Sequence, residues 1–199
     1  AIDSIKNFEN SIEIGNIFKE ELDCDSYVIP FLDGGEGTVE AMKGLLDGDY
    51  HYVNVHNPKN EVITARYVMK DNEAILEMAE SSGLRLIYKD DLDVMRSSSL
   101  GFGEMLVDGL DAGAKSFFIG IGDTATNDLG MGMLYALGAR FYDESGSERN
   151  PKAENMAKVS TVDIDNIDYR LFRTPITIAT SSDTTLFGDN SFLESRVYR

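Results

Sequence analysis

The chain has 199 residues, with 18 Lys and Arg against 35 Asp and Glu, for a formal charge of −17. So large an acidic excess excludes a protein built to neutralise nucleic-acid phosphates or anionic lipid, and a hydrophobic share of 42% excludes a disordered chain. One cysteine and two histidines exclude an intramolecular disulfide and a Cys- or His-rich metal site, but they leave ATP allowed, since backbone amides and a metal ion can hold a nucleotide in an acidic protein.

A chain of this length buries roughly 70% of its unfolded surface, enough for a real core. No apolar run approaches the roughly 18 residues of a membrane span. No signal-peptide pattern opens the chain, so the expected compartment is the cytoplasm. The chain starts on Ala1 instead of Met, which suggests residues ahead of it.

In chain order, residues 27–32 (Tyr-Val-Ile-Pro-Phe-Leu) predict a buried strand. Residues 38–46 predict a helix, with Val39, Met42, Leu45 and Leu46 on one face. Residues 51–56 and 62–69 alternate around Asn57-Pro58-Lys59-Asn60 and predict an antiparallel hairpin. Residues 74–78 form a short apolar run, 103–112 a helix and 117–122 the clearest strand. Residues 129–137 predict a helix with Met131 and Met133 in its core stripe, 143–155 a polar surface loop, and 175–180 a last strand. Strands alternating with helices predict an α/β fold with a mainly parallel sheet, flanking helices and one β-hairpin.

Four segments carry candidate chemistry. The first is Asp33-Gly34-Gly35-Glu36-Gly37-Thr38, between a strand and a helix. Strand ends of this kind bind ligands, and glycines let a backbone approach an anion near the helix's free N–H groups. Asp33 and Glu36 suit Mg²⁺ or substrate hydroxyls better than phosphate. A plain Gly-rich turn with an acidic helix start stands beside that reading.

The second is Gly120-Ile121-Gly122-Asp123-Thr124-Ala125-Thr126-Asn127-Asp128-Leu129-Gly130, where hydroxyls, an amide and carboxylates gather at a strand tip. Simple capping of the next helix by Asn127 or Asp128 is the alternative. It is not a Walker A loop, because it has no Gly-Lys-Ser/Thr. In the third, Asp3-Ser4-Ile5-Lys6, the lysine could hold a phosphate or carboxylate, or be a solvated surface residue. The fourth, Glu77 to Leu84, closes an apolar strand with a carboxylate followed by Ser81 and Ser82; a helix N-cap region is the plainer reading. Ser97-Ser98-Ser99 reads as a flexible anion loop or a helix entry. The histidines face a neighbour or solvent, and Cys24 lacks the basic neighbours of a reactive thiolate.

Taken in order, these segments resemble the bacterial type 1 glycerate kinase family. That family opens on Asp-Ser-Phe-Lys-Gly-Ser, met here by Asp3-Ser4-Ile5-Lys6-Asn7-Phe8. Its Asp-Gly-Gly-Glu-Gly-Thr is unchanged at 33–38, and its Glu-Met-Ala-x-x-Ser-Gly-Leu is present at 77–84. Its Gly-x-Gly-Glu is Gly101-Phe102-Gly103-Glu104. Its Gly-Gly-Ser-Ala-Thr-Asn-Asp-Gly-Gly becomes Gly122-Asp123-Thr124-Ala125-Thr126-Asn127-Asp128-Leu129-Gly130, and its Gly-Met-x-x-Ala-Leu-Gly is residues 132–138.

The resemblance implies ATP-dependent phosphorylation of D-glycerate, with 2-phosphoglycerate as the product, and ATP and Mg²⁺ as cofactors. It implies catalytic roles for Asp33, Asp128 and Lys6. It implies ligand contacts by Asp3, Ser4, Gly34, Gly35, Glu36, Gly37, Thr38, Glu77, Ser82, Gly122, Thr124, Thr126 and Asn127. Asp128 and Glu36 would be the metal ligands. Beyond the small-molecule substrate it implies no nucleic-acid or membrane partner, and it allows a homo-oligomer. The family folds as two α/β domains, so residues 1–70 are expected to be an N-terminal part and 71–199 a second, truncated domain.

The chain departs from the family pattern at Asn7-Phe8, at Asp123 and Leu129 (both glycine in the family), and at Ser181 and Thr184-Thr185, which replace an Asp and an Asn-Pro. Three other functions stay in view: a homologue that binds ligand without catalysis, a kinase of another small hydroxy acid, and a Mg²⁺-dependent phosphotransferase or phosphatase with a different substrate.

Overall fold

The computed structural model describes residues 11–29 and 33–185. Motif residues Asp3, Ser4 and Lys6 lie outside them. Helix α1 spans Ser11–Glu21, and Cys24 is exposed beyond its end. Helix α2 is Thr38–Leu46, as its apolar spacing predicts. Strands β1 (Asp49–His56) and β2 (Val62–Lys70) pair antiparallel as the expected hairpin. Then come β3 (Glu73–Glu77), the one-turn α3 (Ala79–Ser82), α4 (Leu100–Asp111), β4 (Ser116–Gly120) and α5 (Met131–Ala136). The small strands β5 (Arg140–Tyr142) and β6 (Thr161–Asp163) precede β7 (Ile176–Ala179).

Five strands form one sheet in the order β1-β2-β3-β4-β7. Strands β3, β4 and β7 run parallel, while β2 meets β3 antiparallel. The hairpin is therefore one wing of the same sheet that carries the parallel strands. Alternation along β3 sends Ala74 and Leu76 to one side, where they join Phe102, Met105, Leu106, Leu110 and Phe117 under α4. It sends Ile75 to the other, with Val39 of α2 and Val68 of β2. Helices thus cover both faces, the arrangement a buried parallel sheet requires. Met131 is buried and Met133 packs against the core, as the helical stripe predicts.

One expectation changes and another gains detail. Residues 27–29 form no strand, and Tyr27 and Ile29 are 89% and 82% exposed, because no described strand pairs with them; 30–32 lie outside the described residues. The polar stretch after 142 is a loop, as expected, but it is closed by a Tyr142–Glu148 bridge and leads into the separate two-stranded β5–β6 sheet, whose three-residue strands are too short for a periodic signal.

Candidate functional site

Strands β3, β4 and β7 end together at Glu77, Gly120 and Ala179. The turn 33–38 lies across these ends. At Gly34, φ is +88° and a Cβ would sit 2.1 Å from the Ala179 carbonyl oxygen, so only glycine fits. At Gly122 a Cβ would come within 2.7 Å of the Gly35 Cα, so the two glycine-rich loops touch backbone to backbone. The third segment joins through a Gly83–Thr124 bridge, with Leu84 N–H donating to the Asp123 carbonyl and Ala125 N–H to that of Ser82, each at 2.8 Å. Three of the segments singled out in the sequence, 33–38, 77–84 and 120–128, therefore converge at the carboxyl edge of the parallel strands.

The expectation of free amides in the first turn is overturned. Gly35 N–H donates to Asp33 Oδ1 (2.8 Å) and Glu36 N–H to Asp123 Oδ2 (3.2 Å). Gly37 and Val39 N–H both donate to Glu77 Oε2 (3.1 Å each), and the Thr38 hydroxyl donates to the Gly35 carbonyl (2.7 Å). Three carboxylates satisfy the turn and the start of α2, where a carboxylate also gains from the helix dipole.

Glu77 is on the α2 side of β3 because it follows Ile75 by two residues. It is 1% exposed, and its Oε1 is buried with no partner. Burial pushes its carboxyl up to about 7, helped by Glu80 and Glu36 and opposed by the Val39 amide and Arg85. Instead of capping the following α3, it grips the preceding α2.

Asp128 is also buried. Its Oδ2 accepts from Ser99 N–H (2.8 Å), the Ser99 hydroxyl (2.9 Å) and Gly132 N–H (3.0 Å), and its Oδ1 from Gly130 N–H (3.1 Å). Three of these bonds converge on Oδ2, whereas Oδ1 accepts one among the described residues. The Ser99 hydroxyl in turn accepts from Met133 N–H at 3.0 Å. The triple serine is therefore a helix entry, as one of its two readings has it, with Ser99 at the N-cap of α4, and Ser99 also joins the starts of α4 and α5 to the second loop. Its signal in the sequence was three consecutive hydroxyls before Gly-x-Gly-Glu.

Thr124, Thr126 and Asn127 are buried in that loop, and Ser82 is fully buried, its hydroxyl 3.4 Å from that of Ser81. His56 faces Glu104, its Nδ1 2.7 Å from Oε1, and His51 stacks on Tyr67. Sequence reasoning missed the cations nearby. Arg85 pairs with Glu36 and Glu80 (3.3 Å each), and Arg66 with Glu80 (3.2 Å) and Glu40 (3.0 Å). Isolated arginines on a hairpin and a 3₁₀ turn carry no motif that could have flagged them.

The chain matches the model of the glycerate kinase family over residues 1–198. It is 35% identical to a glycerate 2-kinase of Escherichia coli (strain K12), covering 100% of this chain and 53% of that protein. It is 37% identical to a glycerate kinase of Bacillus subtilis (strain 168), covering 83% and 44% respectively. A crystal structure of a candidate glycerate kinase 2 from Salmonella typhimurium LT2 superposes with a TM-score of 0.79 at 36% identity, covering 94% of this chain and 53% of that one. The chain spans about half the length of the curated relatives it matches.

Proposed function

Because this chain belongs to the glycerate kinase family, we propose that it transfers the γ-phosphoryl group of ATP to D-glycerate, giving 2-phosphoglycerate and ADP, in the cytoplasm. The observation that carries this reading is the meeting of the segments 33–38, 77–84 and 120–128 at the ends of β3, β4 and β7. Ligands of α/β proteins bind at that edge.

In the proposed step a glycerate hydroxyl oxygen bonds to the γ-phosphorus, the bridging P–O bond to ADP breaks, and the hydroxyl proton leaves. Asp33, whose Oδ1 is held by the Gly35 amide, receives that proton on its other oxygen. Thr124, Thr126 and Asn127 hold substrate or phosphate oxygens, Lys6 offsets anionic charge, and Asp3 and Ser4 contact substrate or nucleotide.

The donor set fits a nucleotide-borne Mg²⁺. Among the described residues no group of three acidic or His/Cys side chains could cage a metal. Magnesium carried by phosphates and water needs only one or two carboxylates, and Glu36 and Asp128 Oδ1 would supply them. When bound, the ion would spread charge from the transferring phosphates.

A second reading, ligand binding without catalysis, is favoured by Asp123, whose carboxylate lies against the turn 33–38. A coupled ADP-release assay with D-glycerate and Mg-ATP tests the kinase reading; turnover is expected. Binding of either ligand in thermal-shift measurements without turnover selects the second reading, and neither binding nor turnover overturns both. Among the described residues no helix is long and apolar enough to cross a membrane.

A further inference from the structure

We propose that Arg85 is a positioning residue: anchored on the buried Glu80, it fixes the Glu36 carboxylate at the carboxyl edge for the Mg²⁺ that arrives with ATP. The inference rests on the kinase reading for the identity of that ion, and on the ion pairs themselves for the geometry.

Glu36 is held at both ends from outside its own turn. Its amide N–H donates to Asp123 Oδ2 at 3.2 Å, and its Oε1 lies 3.3 Å from Arg85 Nε on the 3₁₀ turn Leu84–Leu86. Among the described residues Arg85 is the one cation that pairs with Glu36. The same guanidinium reaches Glu80 Oε1 through Nη2, also at 3.3 Å. Glu80 is buried, and that oxygen also accepts from Arg66 Nε at 3.2 Å. Arg66 is fixed in its turn. Its Nη1 is 3.0 Å from Glu40 Oε2, which accepts from the Tyr50 hydroxyl at 2.6 Å, and its guanidinium lies over the Tyr50 ring, 4.9 Å from the centre. A line of polar side chains therefore runs from β1 through α2, β2 and α3 to the turn 33–38, and Arg85 is its last link before Glu36.

The 3₁₀ turn that carries Arg85 is itself tied to the second loop, by Leu84 N–H and by the Gly83–Thr124 bridge. Glu36 is exposed, and a free glutamate side chain on a surface turn must give up rotamer entropy when an ion binds it. Arg85 removes that freedom beforehand. Its planar fork has one branch on a buried carboxylate, and that branch sets the direction of the other. An exposed ion pair adds little stability, so what the Arg85–Glu36 pair contributes is direction. Partners that orient a ligating carboxylate typically carry about ten- to a hundredfold in metal affinity.

Isothermal titration with Mg-ATP of the wild-type chain, Arg85→Met, Glu36→Ala and the double variant tests this. Arg85→Met keeps an aliphatic chain and removes both ion pairs, and it should bind Mg-ATP about tenfold more weakly than wild type. In the Glu36→Ala background the same substitution should change affinity by less than about twofold, because the group it positions is gone. Equal losses in both backgrounds would mean that Arg85 meets the phosphates itself, and would overturn the inference. An Arg85→Met protein with wild-type affinity overturns it too, and a sharp fall in its unfolding midpoint at that unchanged affinity would mark Arg85 as a strut. Arg85→Gln, polar and uncharged, is read in the same way should the methionine variant fail to fold. Turnover measured in parallel separates the two readings. A wild type that phosphorylates D-glycerate beside an unaffected Arg85→Met leaves the kinase reading standing without this inference. The expected pattern of affinities with no turnover leaves this inference standing and removes catalysis, and a wild type that binds no Mg-ATP removes both.

Discussion

Ser99 and Asp128 are joined twice, through the serine's backbone N–H and its hydroxyl, and both bonds fall on the same carboxylate oxygen. The contact fastens the first residue before α4 to the last acidic residue of the glycine-rich second loop. Asp128 is thus a structural anchor as well as a candidate ligand.

Asp128→Ala should therefore cost stability as well as activity. It strands the buried N–H groups of Ser99 and Gly132 and the half-buried one of Gly130, a loss of about 3 kcal/mol. Ser99→Ala should cost about 1–2 kcal/mol, with Ser99→Thr recovering part of it. Urea denaturation measures both. A fully stable Asp128→Ala would show that the carboxylate is not the anchor described.

Asp33→Ala separates chemistry from folding. Asp33 is exposed and holds one amide of its own turn, so the midpoint of thermal unfolding should fall by only a few degrees, for about 1 kcal/mol. Kinase turnover should fall at least about 100-fold, the scale of a lost general base. Near-native turnover would remove Asp33 from the reaction.

Glu77 makes stability depend on pH. Its carboxyl stands at about 7 in the fold against an ordinary 4.5, so the raised value favours the protonated form. Its contribution is full below about pH 4.5 and is lost as pH rises through about 7, by about 3 kcal/mol in all. Glu77→Gln cannot ionise and keeps an acceptor for Gly37 and Val39. Relative to it, the wild type should lose about 3 kcal/mol between pH 4.5 and pH 8 in urea titrations. A flat difference would show that Glu77 does not titrate in this range.

Leu129 departs from the family glycine at φ +51°, 56% exposed, just before Gly130 at +73°. A leucine there bears left-handed strain and buries little. Leu129→Gly should raise stability by about 1 kcal/mol, read from the denaturation midpoint at unchanged slope. A loss would mean that the exposed side chain packs in a way its exposure does not suggest.

How far these features could be read beforehand depended on their range. Helix α2, the hairpin, β4 and the core methionines declare themselves through spacing of apolar residues, and the structure places them within a residue or two. The segments at the strand ends were visible as clusters of glycine, hydroxyl and carboxylate. Their partners were not. That Glu77 grips α2, that Ser99 grips Asp128 and that Arg85 reaches Glu36 are matters of tertiary approach between distant segments, which no local pattern encodes. The same holds for 27–29: the apolar run is plain, but a strand exists only where another lies beside it.

The order of the strands also divides the sheet into local and long-range pairings. Val55 meets Ile63 across a tight turn, whereas Phe117 meets Ile176 only after α5, β5 and β6 have been threaded between them. Local pairings of the first kind close quickly, and long-range parallel ones wait on a large loss of chain entropy. Since Gly34 rests on the Ala179 carbonyl, the turn 33–38 has no complete seat until that last strand docks. The carboxyl edge is thus complete only with β7 in place, and a chain lacking that pairing would own a sheet and a core but no finished binding edge.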